Sequence, residues 1–166
     1  MERMRKDVSA GALGPRPGEM LPYFELPSTA DGALSSRRFK GRSNLVLIFA
    51  RDDGCEPCER MLRGFAERYG EFVAEEAEVL GLIVGTQAEA RRLAARLHLP
   101  FPLLADADGA VHAAYGAGDA GEVVVYVADR YGEVHRRWSV EGRQGPLPVP
   151  LEALETLRFI EIQCPE

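Results

Sequence analysis

Cysteine is scarce in this chain. It has three among 166 residues, an odd count and too few to build a small secreted scaffold from disulfides. Positive charge is also in deficit. The formal net charge is −6, so no basic footprint exists to neutralise phosphates or to attract anionic lipid. No segment approaches the roughly 20 apolar residues that cross a bilayer. The opening MERMRKDVSAGALGPRPGEML carries basic charge, but no apolar core of signal-peptide length follows it. These absences argue against nucleic-acid and membrane partners. They lead to the expectation of a soluble cytoplasmic protein whose thiols are reduced by default.

What is present is an ordinary globular balance, 46% hydrophobic and 28% charged, with enough length to bury one core. Residues 1–16 are charged and rich in Gly and Pro without apolar periodicity, and read as a flexible leader. Residues 17–166 read as a single domain. Phe24–Pro27 and Leu34–Phe39 flank the turn-like pair Asp31-Gly32, which predicts a short N-terminal hairpin. The near-continuous apolar run Asn44–Ala50 predicts a strand buried on both faces. Met61, Leu62, Phe65, Tyr69, Phe72 and Val73 recur at helical spacing, with Gly70 as the expected kink or end. A second buried strand over Val79–Val84 and an amphipathic helix over Gln87–His98 follow. A short strand, Pro102–Ala105, leads to two strands joined by Asp129–Gly132 and to a last helix from residue 151 to about 162. This order describes an α/β fold, a central mixed sheet flanked by helices.

The chemistry concentrates in FARDDGCEPC, residues 49–58. Cys55 follows a buried strand and falls at the first turn of a helix. Unpaired backbone N–H groups and the positive end of the helix dipole there favour a thiolate. Pro57 suits that turn because its missing N–H has no partner to lose. Cys58, one turn on, is within reach of Cys55 for a disulfide. Asp52, Asp53, Glu56 and Glu59 oppose ionisation, and Arg51 and Arg60 offset only part of that effect. A zinc site built from Cys55, Cys58, Cys164 and a histidine lacks the second paired ligand motif that tight sites show.

Longer stretches carry a family resemblance. LPYFELPSTADGALSSRRFKGRSNLVLIFA, LPFPLLADADGAVHAAYG and VVVYVADRYGEV, in that order, resemble redoxins of the alkyl hydroperoxide reductase/thiol-specific antioxidant group, the peroxiredoxins. The likeness spans roughly residues 17–140 and implies a thioredoxin-like fold. It also implies a thiol-dependent oxidoreductase that cycles a Cys55–Cys58 dithiol and disulfide to reduce peroxides or protein disulfides. An external thiol reductant such as a thioredoxin-like protein would restore the pair, and no cofactor or metal is called for. Laid on the family's P-x-x-x-[TS]-x-x-C motif, Cys58 takes the attacking position, Arg51 the proline and Cys55 the Thr/Ser. Val123, beside Glu122, takes the place of the family's later arginine. C-x-P-C itself is closer to thioredoxin-like reductases, with Cys55 as exposed nucleophile and Cys58 as resolving thiol. Which cysteine attacks first stays open at this stage. A non-catalytic scaffold or binding protein of the same fold is the alternative function.

The remaining candidates have plainer readings. Cys164 is expected to be a small residue at a helix terminus, with a resolving role within the chain or across a homodimer as the alternative. His98, His112 and His135 read as partly buried or surface histidines. Trp138 reads as a core or sheet-face residue, and Asp106 and Asp108 as turn and cap residues.

Overall fold

The structure, a computed structural model, describes residues 14–51, 54–117, 122–141 and 149–163. Two short strands, β1 (Glu25–Pro27) and β2 (Ala33–Ser35), pair antiparallel around Asp31-Gly32 and form the expected hairpin. The second segment is shorter than its sequence suggests because Ser36–Phe39 turn into a 3₁₀ helix, with the Ser35 side chain accepting the Arg37 N–H.

The central sheet is built from β3 (Asn44–Arg51), β4 (Ala77–Val84), β5 (Leu103–Ala105), β6 (Glu122–Ala128) and β7 (Val134–Glu141), in the order β5-β4-β3-β6-β7. Strands β3, β4 and β5 run parallel, while β6 and β7 are antiparallel to their neighbours. This mixed α/β arrangement is the one expected from sequence. The central position of β3 follows from its composition, since only a strand apolar on both faces can be covered on both. Val46, Ile48 and Ala50 point to one core, and Leu45, Leu47 and Phe49 to the other.

The first core lies under helices α1 (Glu56–Glu67), α2 (Tyr69–Ala74), α3 (Gln87–Leu97) and α5 (Val149–Gln163). The second lies under the N-terminal segment and the short α4 (Ala110–Ala114), with Phe24, Phe39 and Tyr115 filling it. Each buried Leu, Ile or Phe contributes roughly 1.5–3 kcal/mol to the packing of these layers. Helix α3 begins with a capping box, in which Thr86 accepts the Glu89 N–H and Glu89 accepts the Thr86 N–H.

Two sequence expectations shift. The helix predicted through Phe72 breaks at Arg68, not at Gly70, which lies inside α2. Its other glycine, Gly64, serves packing: a Cβ there would meet Pro150 Cγ at 3.3 Å, so α1 and α5 approach closely. Residues 14–16 also differ from the expected leader. Pro15 is buried, and Gly14 lies so close to the Tyr115 backbone and the Tyr126 hydroxyl that a side chain would collide with them. The Gly18 N–H then donates to the Val134 carbonyl and the Leu21 N–H to the Gly132 carbonyl, which ties the start of the chain to β7. Residues 1–13 of the expected leader lie outside the described residues. No described helix is long and apolar enough to cross a membrane.

Candidate active site

The two cysteines sit where β3 gives way to α1. Gly54 adopts φ +60, a left-handed turn that a side chain resists. Cys55 is the N-cap of α1, and its Sγ accepts the Cys58 N–H at 3.3 Å, so one orphan donor of the first turn is spent on this sulfur. Pro57 stands in the first turn, as its missing N–H allows. Cys58 follows one turn later, and the two sulfurs are bonded, with the Cα atoms 5.2 Å apart. Their surroundings differ. Cys55 is half-buried, whereas Cys58 is fully buried among Ala50, Met61 and Leu62 and accepts the Arg51 N–H at 3.2 Å.

Two of the four acids around the pair are neutralised by partners. Glu59 takes a two-pronged contact from Arg96 of α3, at 3.1 and 2.7 Å. The Arg96 hydrogen bond holds the Glu59 carboxyl below its usual range, against the opposing effect of partial burial. Glu56 is paired with Arg60 one turn along α1, at 3.0 Å. The sequence expectation counted Arg60 as a partial offset but missed Arg96, which lies 37 residues from Glu59. Asp52 and Asp53 lie outside the described residues.

Behind the corner is a polar group that sequence reading missed. Asp106 and His112 are fully buried. His112 Nδ1 is 2.7 Å from Asp106 Oδ2, and Nε2 is 3.0 Å from the Ala50 carbonyl. The same carboxyl accepts the backbone N–H groups of His112 and Val111. Burial opposes the ionisation of Asp106, but the His112 ring and those N–H groups outweigh it and hold the carboxyl below its usual range. Asp106 is therefore a turn residue, as expected, and also one half of a buried pair. His112 is not on the surface. Its ring stands edge-on to Phe49, with centroids 5.1 Å apart, and Phe49 in turn packs on Tyr115 at 4.7 Å.

With this geometry in view, the comparisons are specific. Residues 17–148 match the AhpC/TSA family. The chain belongs to that family. It is 28% identical over 152 residues to a chloroplastic peroxiredoxin Q of Triticum aestivum, covering 79% of this chain and 70% of that one. It is 29% identical over 122 residues to the chloroplastic peroxiredoxin Q of Oryza sativa subsp. japonica, of which it spans 56%. The fold matches that of peroxidoxin BcpB from Mycobacterium tuberculosis, with a TM-score of 0.76, 23% identity, and coverage of 87% of this chain and 97% of that one. The thioredoxin-like fold expected from sequence is thus the observed one. Membership of the AhpC/TSA family and a bonded Cys55–Cys58 pair make this a thiol-dependent redox protein.

Within the AhpC/TSA frame, the other candidates fall into place. Val123, expected from the resemblance at the place of the family's arginine, is fully buried in the same apolar core as Cys58. Trp138 is a core residue beneath α5, its indole N–H donating to Glu152 at 2.8 Å. His98 is exposed at the αL cap of α3, and His135 is half-buried against Asp129 at 2.9 Å. Asp108 accepts the Ala110 N–H at the start of α4. Among the described residues, no group of three or more His, Cys, Asp or Glu is placed to hold a metal ion. Cys164 lies outside the described residues.

Proposed function

We propose that the chain is a two-cysteine reductase in which Cys55 attacks a peroxide and Cys58 resolves the product. The observation that carries this is the asymmetry of the bonded pair, one sulfur half-buried at a helix N-cap and the other sealed in the core. A substrate reaches Cys55 first. The Cys55 thiolate displaces an alkoxide or hydroxide from the peroxide and becomes a sulfenic acid. Cys58 then attacks that sulfur, a water leaves, and the disulfide closes. An external dithiol, such as that of a thioredoxin-like protein, returns both thiols and is itself oxidised. A cytoplasmic setting, where such reductants keep thiols reduced, belongs to the same proposal.

Membership of the AhpC/TSA family supports a peroxide as the electrophile. A second electrophile, the sulfur of a protein disulfide, is favoured by the site itself. Attack on a disulfide has no peroxide oxygens to hold and so needs no separate cation, and apolar Val123 stands where the resemblance expects one. Exposing the wild type, Cys55→Ser and Cys58→Ser to hydrogen peroxide and, separately, to a small aromatic disulfide tests both. Intact mass should show a sulfenic acid or mixed disulfide on Cys55 that persists only in Cys58→Ser. Trapping on Cys58 in Cys55→Ser instead reverses the roles. Unmodified thiols with both reagents leave a non-catalytic scaffold.

A further inference from the structure

His112 and Asp106 take no part in the cycle above, yet they are buried beside it and joined to it by a single peptide group. The Ala50 carbonyl that faces His112 Nε2 and the Arg51 N–H that donates to Cys58 Sγ belong to the same peptide bond. A carbonyl oxygen can only accept, so Nε2 carries a proton. Asp106 already accepts two backbone N–H groups, the pattern of an ionised carboxylate, and so presents Nδ1 with an acceptor as well. Both ring nitrogens thus face oxygen acceptors, the setting that suits a doubly protonated ring. A cation bonded to a peptide oxygen draws electron density from the nitrogen and makes its N–H a stronger donor.

We propose that His112, held as an imidazolium by Asp106, polarises the Ala50–Arg51 peptide and thereby stabilises the thiolate of Cys58. His112 touches neither sulfur and acts as a positioning residue. Resting on the two-cysteine reading, this gives Cys58 a defined advantage. A stabilised Cys58 thiolate is present more often to resolve the oxidised Cys55, and it leaves more readily when an external dithiol attacks the disulfide. No electrons or atoms pass through His112. Among the described residues, the charges beside Cys58 are those of Arg51, whose own N–H makes the bond, and of Glu56 and Glu59 on the same helix, which are engaged by Arg60 and Arg96. None of them is altered by a substitution at His112.

Two measurements test this without substrate turnover. Nitrogen-15 spectra of the histidine rings in the intact protein at neutral pH should show both nitrogens of His112 protonated. A neutral ring with one bare nitrogen overturns the proposal. In a Cys55→Ser/Cys164→Ser background, where Cys58 is the last thiol, its thiolate absorbance is titrated with pH. If the cation strengthens the bond by about 10–30%, His112→Phe should reduce the thiolate population at a given pH by about threefold, a rise of about half a pKa unit. His112→Gln, which keeps a neutral donor, should give a smaller rise. Should His112→Phe fail to fold, the wild-type spectra and the Gln variant still decide, and an unchanged titration in the folded variants overturns the proposal. Protonated nitrogens and a shifted titration in a protein that reduces neither peroxide nor disulfide would sink the catalytic reading alone.

Discussion

The two faces of the central sheet are packed by different means. On the helix side, Cys58 sits among apolar side chains, and the cation–anion pairs Arg96–Glu59 and Arg60–Glu56 stay near the solvent. On the opposite side the core is aromatic and polar. Phe49 packs on Tyr115 and Tyr126, the Tyr126 hydroxyl donates to the Tyr115 carbonyl at 2.7 Å, and the Asp106–His112 pair is buried beside them. The bonded sulfurs are thus on the face that supplies little polarity of its own. The polar groups lie on the other, and the end of β3 connects the two. A strand can do this because the peptide at Ala50–Arg51 offers its oxygen to one neighbour and its N–H to another.

Substitutions should separate the faces. On the helix side, Cys55→Ser should lower peroxide- or disulfide-dependent turnover by more than about a thousandfold while leaving chemical unfolding cooperative, because it removes the proposed nucleophile. The readout is a coupled assay with an external dithiol beside a denaturation curve.

On the far side the larger effect should be on stability. Asp106→Asn breaks the buried Asp106–His112 pair and should cost about 3–5 kcal/mol in denaturant unfolding. The sign of the pH effect follows from the depressed Asp106 carboxyl. Its contribution is complete above the unfolded value near 3.9 and disappears as pH falls through the lower folded value. Acid should therefore destabilise the wild type more steeply below about pH 4 than it does Asp106→Asn.

A smaller loss, about 1–2 kcal/mol, is expected for Tyr126→Phe. It removes the donor to the Tyr115 carbonyl and the acceptor of the Arg137 Nε–H. Burial pushes the Tyr126 hydroxyl above its usual range despite the opposing Arg137 contacts, so it stays a donor across the working pH range. Least of all, Glu59→Gln should lower the melting temperature by no more than about 2 °C, since the Arg96 contact lies at the protein surface.

The same comparison explains which parts were legible in the sequence. β3 could be read because the unbroken apolar run Leu45–Ala50, flanked by polar residues, leaves a strand little choice. The Cys55–Pro57–Cys58 corner could be read because helix N-cap chemistry is local. The Asp106–His112 pair could not. Asp106 lies six residues from His112, but Ala50 is 62 residues away, and only the packing of α4 against the end of β3 brings them together. The pairing of Glu59 with Arg96 escaped notice for the same reason. The break at Arg68 went to the wrong residue because glycine is a weak helix former yet is tolerated inside α2.

The central claim is that Cys55 and Cys58 form a working redox couple. Its most direct test is to treat the fully reduced protein with one equivalent of hydrogen peroxide and map the peptides by mass spectrometry before and after an external dithiol is added. The account predicts loss of two hydrogens, confined to the peptide holding Cys55 and Cys58, and their return on reduction. Oxidation that bypasses this pair, or a bond that runs instead to Cys164, would contradict it.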